Sequence, residues 1–298
     1  MGTYIAYACK FFAFSPQKAH KDEDKFRFIK IYWEDFVFLQ DINMTPFSLN
    51  IDGTLRQFDS PVVMGILNLT PDSFHAASRY AFDAVADADI VDIGACSTRP
   101  GAEVCTESEE MERLMKAAGT IKERYSGRIL SIDTFRPAVA EMAIKELGVH
   151  IVNDISGGCE DIFSVAARYG RAYVLTYPEP GGMDKALYWF SEKIDALARA
   201  GVNDIIIDPG FGFNKDVEQN YALVREFEAF KSLRLPILCG ISRKRMVFQP
   251  LGITPGEALN GTSVLDTILL TKGADILRVH DVKEAKEAVT LFELTMQR

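Results

Sequence analysis

Short runs of apolar residues alternate with amphipathic stretches from Pro61 onward in this chain of 298 residues. Eight of the runs are continuous in Val, Ile and Leu, as is typical of parallel strands that helices cover on both faces. They predict strands at 62–68, 90–94, 129–133, 151–154, 172–176, 204–208, 236–240 and 275–279. Eight βα units in a length near the roughly 250 residues usual for the fold predict an α/β fold, a (β/α)8 TIM barrel.

Helix signals lie between the predicted strands. Thr106 followed by Glu109 has the spacing of a capping box, and Pro137 suits a first helical turn. The unit between Asn68 and Ile90 is short, which predicts a truncated helix there. A doubly wound open sheet is the alternative architecture, but no G-x-G-x-x-G sequence follows a predicted strand.

Residues 1–47 do not share this pattern. They are rich in aromatic residues, carry six acidic and six basic side chains, and show no sustained period. We predict an N-terminal extension over 1–47, either poorly ordered or a small cap on the barrel, and a single barrel domain over 48–298. Met44 offers an alternative start.

Composition argues against several classes of protein. Hydrophobic residues make up 48% of the chain and charged residues 25%, which is typical of a globular protein, and no apolar run reaches the roughly 20 residues of a membrane span. The five cysteines show no C-x-x-C spacing and the first residues lack a signal sequence, which favours a cytoplasmic protein without structural zinc or disulfides. A net charge of −9 argues against a nucleic-acid-binding surface.

Six of the eight predicted strands end in polar side chains. In a TIM barrel the active site lies at the carboxyl ends of the strands. The polar residues at or just after these ends are Asn68, Asp92, Asp133, Asn153, Asp154, Asp208, Ser242, Arg243, Lys244, Arg278 and His280. Any one Asp there is equally well explained as a helix N-cap, but the repeated pattern predicts an active site.

The polar groups differ in chemistry. Asp133, Asn153 and Asp208 offer carboxylate and amide groups that suit a flat heterocycle with adjacent donors and acceptors, such as an aminopyrimidinone. Lys244 and Arg278 follow the last two strands, where TIM barrels commonly bind phosphate.

Two further residues are less certain from chemistry alone. Asn68 is a candidate ligand for Mg²⁺, which prefers oxygen and keeps several waters, although a turn-forming Asn before Thr70-Pro71 explains it equally well. A lone loop histidine such as His280 is more often structural, but its place beside Arg278 favours donation to an oxyanion.

Eight strings of residues resemble the dihydropteroate synthase family in order and spacing. They are MGILNLTPDSF (64–74), DIGACSTRPGA (92–102), SIDTFRP (131–137), VNDISGG (152–158), IIIDPGFGF (205–213), GISRK (240–244), LNGTSVLDT (259–267) and DILRVHDV (275–282). The similarity extends from about residue 48 to the C-terminus, and a chance match to all of these strings is implausible.

The resemblance implies a transferase of folate biosynthesis. The amine of p-aminobenzoate displaces pyrophosphate from 6-hydroxymethyl-7,8-dihydropterin diphosphate and gives 7,8-dihydropteroate. The resemblance also implies Mg²⁺ as cofactor, small-molecule substrates as the partners, with no nucleic acid or membrane, and a homodimer.

Matching motif to motif assigns roles to individual residues. Asp133, Asn153, Asp208 and Lys244 would hold the pterin, with Phe213 and Gly240 shaping its pocket and Asp92 also assigned to substrate binding. Asn68, as the metal ligand, would hold the diphosphate together with Arg278 and His280. Thr98, Arg99 and Pro100 would shape the p-aminobenzoate site, Ser242 would line its far side, and Asp72 and Phe74 would close over it. Asp133, Lys244, Arg278 and His280 are the residues expected to act in catalysis.

The chain departs from the family pattern at four other positions. Ala76 and Ala77 stand where the family often has glycines, Cys96 replaces a Glu, and Thr176 replaces a Met. These departures bear on p-aminobenzoate binding and on the response to sulfonamides.

Two other functions stay open. A methyltetrahydrofolate-type methyltransferase barrel shares the Asp and Asn pterin contacts, but it has no reason to retain the STRP, SRK and RVH sequences. A non-catalytic pterin-binding paralogue is opposed only by the retained set of Asn68, Arg278 and His280.

Overall fold

The computed structural model of the chain describes residues 46–69, 82–96 and 104–296. The strands are β1 (Phe47–Ile51), β2 (Thr54–Phe58), β3 (Val62–Asn68), β4 (Ile90–Gly94), β5 (Ile129–Asp133), β6 (Ile151–Asp154), β7 (Ala172–Thr176), β8 (Ile205–Asp208), β9 (Leu238–Cys239) and β10 (Ile276–Val279). The α-helices are α1 (Glu107–Arg124), α2 (Pro137–Leu147), α3 (Glu160–Arg168), α4 (Met183–Ala200), α5 (Val217–Arg225), α6 (Arg245–Leu251), α7 (Leu259–Thr271) and α8 (Val282–Met296). The predicted extension lies outside the described residues up to position 45.

Strands β3 to β10 form one parallel sheet in the order β8-β7-β6-β5-β4-β3-β10-β9. A parallel bridge between Ile207 and Ile237 joins β8 to the segment before β9, so the two edges of the sheet meet. Helices follow the strands and cover the outside of the sheet, as in other (β/α)8 proteins. The predicted TIM barrel is confirmed.

Side chains alternate along each strand between the inside of the barrel and the helices outside. The inward residues near the strand starts are apolar and buried: Met64, Ile90, Ile129, Ile151, Val174, Ile206, Leu238 and Ile276. Two or four residues further along the same strands, the inward positions are Asn68, Asp92, Asp133, Asn153, Thr176, Asp208, Gly240 and Arg278. We call this second set the carboxyl mouth. The barrel therefore has an apolar floor and a polar mouth.

An antiparallel hairpin of β1 and β2 precedes the barrel, and the hydrophobic pattern did not predict it. Leu49 and Phe58 are buried among the residues of the barrel floor. At the hairpin turn, Asp52 forms an ion pair with Arg171 and a hydrogen bond with the imidazole of His150. These two partners lie next to the starts of β7 and β6. The hairpin thus covers the amino end of the barrel, opposite the carboxyl mouth. Its strands are too short and too exposed to give a clear period of two.

Five predicted strands have the expected bounds and three are shorter. The predicted 204–208, 236–240 and 275–279 are Ile205–Asp208, Leu238–Cys239 and Ile276–Val279. Pro236 has no N–H to donate to a ladder. The Asp275 carboxylate accepts a hydrogen bond from the N–H of Ile237 at 2.8 Å. At that strand end a side chain therefore takes the place of a backbone acceptor.

The helix signals agree with the structure. Thr106 and Glu109 form the capping box of α1, and Pro137 is the first residue of α2. The described end of the connection between β3 and β4 is helical only over 82–84. Within the described ranges, no helix has the length and apolar character needed to cross a membrane.

Candidate active site

Arg278 on β10 connects two carboxylates across the carboxyl mouth. Its Nε donates to Asp92 Oδ2 at 2.7 Å, and its Nη2 donates to Asp133 Oδ2 at 2.6 Å. Asp92 lies on β4 and is fully buried, while the side chains of Asp133 and Arg278 retain 11% and 15% exposure. A guanidinium carries five N–H donors, so donors remain for an anion at this edge.

Asp92 lies beneath the other polar groups of the mouth. Its Oδ2 also accepts a hydrogen bond from Asn153 Nδ2 at 3.0 Å, and its side chain has no exposed surface. One carboxylate oxygen therefore orients both Asn153 and Arg278. The sequence assigned Asp92 to substrate binding, whereas this geometry favours a positioning role for it.

Asn68, the candidate metal ligand, ends β3 beside Gly94 on β4. A Cβ on Gly94 would lie 3.5 Å from Asn68 Oδ1 and 3.8 Å from Asp133 Oδ2. The amide oxygen and the carboxylate thus flank a position without a side chain. Two oxygen donors near one open position form a set that suits a hard cation.

The loop after β8 holds the Asp208 side chain through a backbone N–H of Gly210. Asp208 Oδ1 accepts the N–H of Gly210 at 2.8 Å, in a turn that requires φ of +69° at Gly210. A Cβ on Gly210 would lie only 2.0 Å from the carbonyl oxygen of Tyr177. The loop lies so close to the end of β7 that only glycine fits at this position.

Lys244 comes from the loop after β9 and enters the mouth. Its Nζ donates to the carbonyl of Phe211 at 2.6 Å and lies 4.5 Å from the ring centre of Phe213. Gly240 faces the same space, since a Cβ on it would lie 3.8 Å from Lys244 Nζ and 3.9 Å from Arg278 Cβ. The structure brings the predicted Phe213, Gly240 and Lys244 together on one side of the mouth.

Lys215 is a buried cation that sequence reasoning missed. Its Nζ donates to the carbonyls of Tyr177, Gly210 and Phe213 at 2.9, 3.1 and 3.3 Å, and only 8% of the residue is exposed. It fastens the loop of Asp208 to the end of β7. A single lysine two residues after the DPGFGF string was the available signal.

Ser242 and His280 form a pair at the edge of the mouth. The backbone N–H of His280 donates to Ser242 Oγ at 3.2 Å, and His280 Nδ1 lies 3.1 Å from the same oxygen. If the hydroxyl donates its proton to Nδ1, the imidazole keeps its own proton on Nε2. That tautomer makes Nε2 a hydrogen-bond donor for an anionic ligand.

Arg243 does not join the cations of the mouth, although it stands between Ser242 and Lys244 in the sequence. Its guanidinium forms two hydrogen bonds of 2.8 Å to Asp281 and donates to the carbonyl of Gly256 at 2.6 Å. It therefore ties the loops after β9 and β10 together.

The charged groups of the mouth shift one another's proton affinity. Burial raises the pKa of Asp133 to about 7, against the opposing effect of Arg278 and with a further rise from Asp92. Burial also raises the pKa of Asp208, which Lys244 opposes. Burial lowers the pKa of Lys244 to about 8, which the Asp208 carboxylate opposes. Shifts of this kind, gathered in one cleft, are typical of functional sites.

Several buried oxygens of the mouth have no hydrogen-bond partner among the described residues. They are Asp92 Oδ1, Asp133 Oδ1, Asn153 Oδ1 and Thr176 Oγ1. An unpaired buried acceptor costs about 1–3 kcal/mol. Three of these four are carboxylate or amide oxygens, so the mouth suits a ligand that presents N–H donors.

Four predicted site residues lie outside the described residues: Phe74, Thr98, Arg99 and Pro100. The same holds for Asp72, Ala76 and Ala77 in the connection after β3. The other eleven predicted site residues are described, and all of them lie at or next to the carboxyl mouth.

A family model described as "Pterin binding enzyme" matches residues 64–280 of the chain. Dihydropteroate synthase of Escherichia coli (strain K12) is 37% identical over 269 residues, which cover 82% of this chain and 95% of the relative.

Solved structures agree with the sequence match. A dihydropteroate synthase of Xanthomonas albilineans with 4-aminobenzoic acid superimposes with a TM-score of 0.77 at 31% identity, over 85% of this chain and 100% of that one. A dihydropteroate synthase of Coxiella burnetii in complex with pteroic acid gives a TM-score of 0.76 at 31% identity, over 84% of this chain and 99% of that one.

Proposed function

The chain belongs to the family of pterin-binding enzymes, among its dihydropteroate synthases, and we propose that its carboxyl mouth condenses p-aminobenzoate with a dihydropterin diphosphate. The reaction gives 7,8-dihydropteroate and pyrophosphate, and it makes the protein a pterinylmethyl transferase of folate biosynthesis. The observation that carries the proposal is that Asp133 and the buried Asn153 and Asp208 face Arg278 and Lys244. One superimposed relative is in complex with 4-aminobenzoic acid and the other with pteroic acid, which supports the proposed substrate and a product of the pteroate class.

The pterin fits the acceptor-rich side of the mouth. A dihydropterin presents ring N–H groups and an exocyclic amine, and Asp133, Asn153 and Asp208 supply oxygens for them. Asp133 Oδ1 and Asn153 Oδ1 are both buried without a partner among the described residues. Lys244 supplies the donor for the ring's own acceptors. The side chain of Thr176 contributes a hydroxyl where the family has a Met.

The diphosphate fits the opposite side, at Arg278 and His280. Arg278 keeps N–H donors beyond the two that the carboxylates accept, and the Nε2 proton of His280 adds another. These donors are fixed before the substrate binds, so they stabilise the charge that develops on the leaving group without reorganising. Asp92 fixes the orientation of the Arg278 and Asn153 side chains through its two hydrogen bonds and acts as a positioning residue.

Mg²⁺ is the proposed cofactor, and Asn68 is its proposed ligand. The buried cations near the mouth are Lys215, Lys244 and Arg278, and the carboxylates Asp92, Asp133 and Asp208 match them in number. A diphosphate therefore adds negative charge that the protein does not offset. The oxygen set of Asn68 and Asp133 around Gly94 suits a hard cation. When bound, Mg²⁺ would neutralise charge on the diphosphate.

Departure of pyrophosphate leaves positive charge on the methylene carbon of the pterin. The electron-rich dihydropterin delocalises that charge, and the Asp133 carboxylate stabilises it from the barrel interior. The amine of p-aminobenzoate is neutral and attacks directly, so no strong general base is required. Ser242, at the edge of the mouth, is the described residue assigned to the p-aminobenzoate side.

The alternatives differ in their products. A methyltransferase barrel would use the carboxylate and amide oxygens that bind the pterin. It would have no use for Arg278 and His280, which donate hydrogen bonds to an anion. A non-catalytic paralogue would bind pterin without turnover. Supplying dihydropterin diphosphate, p-aminobenzoate and Mg²⁺ and detecting dihydropteroate and pyrophosphate separates them. Binding of the pterin without either product would overturn the proposed function in favour of the paralogue.

We also infer a homodimer through the outer faces of α7 and α8. The two helices pack together, and their exposed faces carry Val264, Ile268, Leu291 and Leu294, of which Leu291 is 64% exposed. Several large apolar residues on one exposed face are typical of an interface. Leu291→Asp should therefore shift the mass from dimer to monomer in light scattering, while Tyr188→Asp, on the exposed face of α4, should not.

The proposed location is the cytoplasm. The described cysteines are all free thiols, as is usual in a reducing compartment.

A further inference from the structure

Cys96 and Cys105 bring two thiols together at the base of the connection between β4 and α1. Cys96 lies two residues after β4, and Cys105 directly precedes Thr106, the N-cap of α1. Their sulfur atoms and a carboxylate oxygen of Glu110 all lie within 4.8 Å of one another. The Cys105 thiol also donates to the carbonyl of Ala95 at 3.9 Å, which holds it against the end of the strand.

We propose that Cys96 and Cys105 are a redox pair that forms an intramolecular disulfide. A disulfide needs sulfur atoms about 2 Å apart, so the two side chains must move closer together before the bond forms. Both residues lie outside the regular parts of β4 and α1, so bond formation leaves those elements intact. The bond closes a ring from residue 96 to residue 105.

The same cluster is poorly suited to a metal ion. The Glu110 carboxylate is ion-paired with Arg136, and Arg136 Nη2 donates to the carbonyl of Cys105 at 2.6 Å. Arg113 Nη1 donates to the carbonyl of Ala95 at 2.8 Å. Two guanidiniums thus lie beside the thiols, and their positive charge would repel a divalent cation.

The two thiols differ in access, which sets the order of reaction. Cys96 is partly exposed and Cys105 is buried. Burial raises the pKa of the Cys105 thiol to about 11, so this residue stays protonated near neutral pH. Cys96 therefore meets an oxidant first, and Cys105 follows as the resolving residue.

The oxidant is a low-molecular-weight disulfide such as oxidised glutathione. The Cys96 thiolate attacks one of its sulfurs, breaks its S–S bond and releases one glutathione thiolate. Cys105 then loses its proton to solvent and attacks the Cys96 sulfur of the mixed disulfide, which releases the second glutathione thiolate. The protein gives up two electrons and two protons, and one oxidised glutathione becomes two reduced molecules.

The consequence for catalysis rests on the proposed function. The chain between the two cysteines carries Thr98, Arg99 and Pro100, which the resemblance assigns to p-aminobenzoate. A disulfide between Cys96 and Cys105 places these three positions inside one covalent ring. We expect oxidation to raise the KM for p-aminobenzoate several-fold and to leave the KM for the pterin diphosphate nearly unchanged.

Mass spectrometry of the full chain tests the bond itself. The protein is treated with oxidised glutathione, remaining thiols are alkylated, and the chain is cleaved after glutamates, including Glu103 between the two cysteines. We expect the Cys96 and Cys105 peptides to remain joined until a reductant is added. Cys105→Ser should leave Cys96 as a mixed disulfide, and Cys159→Ser, which removes an exposed cysteine elsewhere, should not change the result.

Two results would overturn the assignment. Oxidised protein in which both cysteines are fully alkylated would show that the bond does not form. Purified protein that retains Zn²⁺ and protects both thiols through it would show a metal site instead. The bond is measured without turnover, so reduced protein that fails to make dihydropteroate overturns the proposed function and leaves this result standing. If Cys105→Ser fails to fold, the peptides of the wild-type chain decide the question alone.

Discussion

The guanidinium of Arg278 reaches across the inside of the barrel to Asp133, with 2.6 Å between Nη2 and Oδ2. Their strands are separated by β3 and β4 in the sheet, so the pair is formed through the barrel interior rather than between neighbours. It joins the side of the mouth proposed to bind the pterin to the side proposed to bind the diphosphate.

Arg278→Ala should reduce kcat by roughly 10²–10³-fold, since removal of one preorganised donor to a developing oxyanion typically has that effect. Steady-state release of pyrophosphate measures it. Arg225→Ala removes an arginine that is 60% exposed on α5 and should leave kcat unchanged. Turnover of the Arg278→Ala variant close to that of the wild type would contradict the assignment.

The pH profile of the reaction should carry the titration of Asp133. Burial raises its pKa to about 7, and only the ionised form carries the negative charge that stabilises positive charge on the pterin. The value of kcat/KM for the pterin substrate should therefore fall as pH drops through about 7.

Asp133→Asn should lower activity and remove this fall of kcat/KM at acidic pH, the acidic limb of the profile. A limb that persists unchanged in the variant belongs to the substrate or to another residue. That outcome would count against Asp133 as the titrating group.

Removal of metal should abolish turnover. Mg²⁺ is the proposed cofactor, so treatment with EDTA should stop the reaction and added Mg²⁺ should restore the rate. Asn68→Ala should raise the Mg²⁺ concentration that gives half of the maximal rate. Asn214→Ala, in the loop after β8, is a matched control and should not. Indifference of the wild-type rate to chelation would contradict the role of Asn68.

Two glycines with the same backbone conformation should respond differently to alanine. Gly210 has φ of +69° and Gly252 has φ of +65°, so both variants carry the strain of a left-handed residue. A Cβ on Gly210 would meet the Tyr177 carbonyl at 2.0 Å, whereas a Cβ on Gly252 would have nothing within 4 Å. Gly210→Ala should lower the free energy of unfolding by about 1–3 kcal/mol more than Gly252→Ala. Equal denaturation midpoints for the two variants would show that the loop adjusts freely.

Asp266 should make the protein less stable at high pH. This carboxyl on α7 is 1% exposed, its Oδ1 has no partner among the described residues, and burial raises its pKa from 3.8 to about 8. Because the folded state binds the proton more tightly than the unfolded state, the stability contribution of Asp266 is present below pH 4 and is lost as pH rises through 8.

Asp266→Asn removes this dependence, so its stability relative to the wild type should increase with pH. Urea unfolding at about pH 5 and about pH 9 measures the difference. A difference between variant and wild type that stays constant across this range would mean that Asp266 does not titrate in the folded state.

The sequence by itself determined the barrel and the general place of its site. Buried parallel strands require continuous apolar runs, so the eight runs fixed the number of units and five sets of strand bounds. The same runs showed where each strand ends, and Asn68, Asp92, Asp133, Asp208 and Arg278 were found from those ends alone. The motif resemblance then supplied the reaction.

Only the tertiary structure decided which polar groups meet. Asn153 points into the mouth, while Asp154 points outward and accepts a hydrogen bond from Tyr173 at 2.5 Å, because side chains alternate along a strand. Arg243 forms an ion pair with Asp281, and Lys215 lies buried under the loop that follows Asp208. These outcomes depend on the closure of the barrel.

The pairing of Cys96 with Cys105 has the same origin. The scattered cysteines of the sequence gave no sign of a pair, since no short spacing links them. The turn from β4 into α1 brings their sulfur atoms within 4.8 Å. Periodicity is a local property and is visible in the sequence, whereas contacts between the ends of different elements depend on how those elements pack.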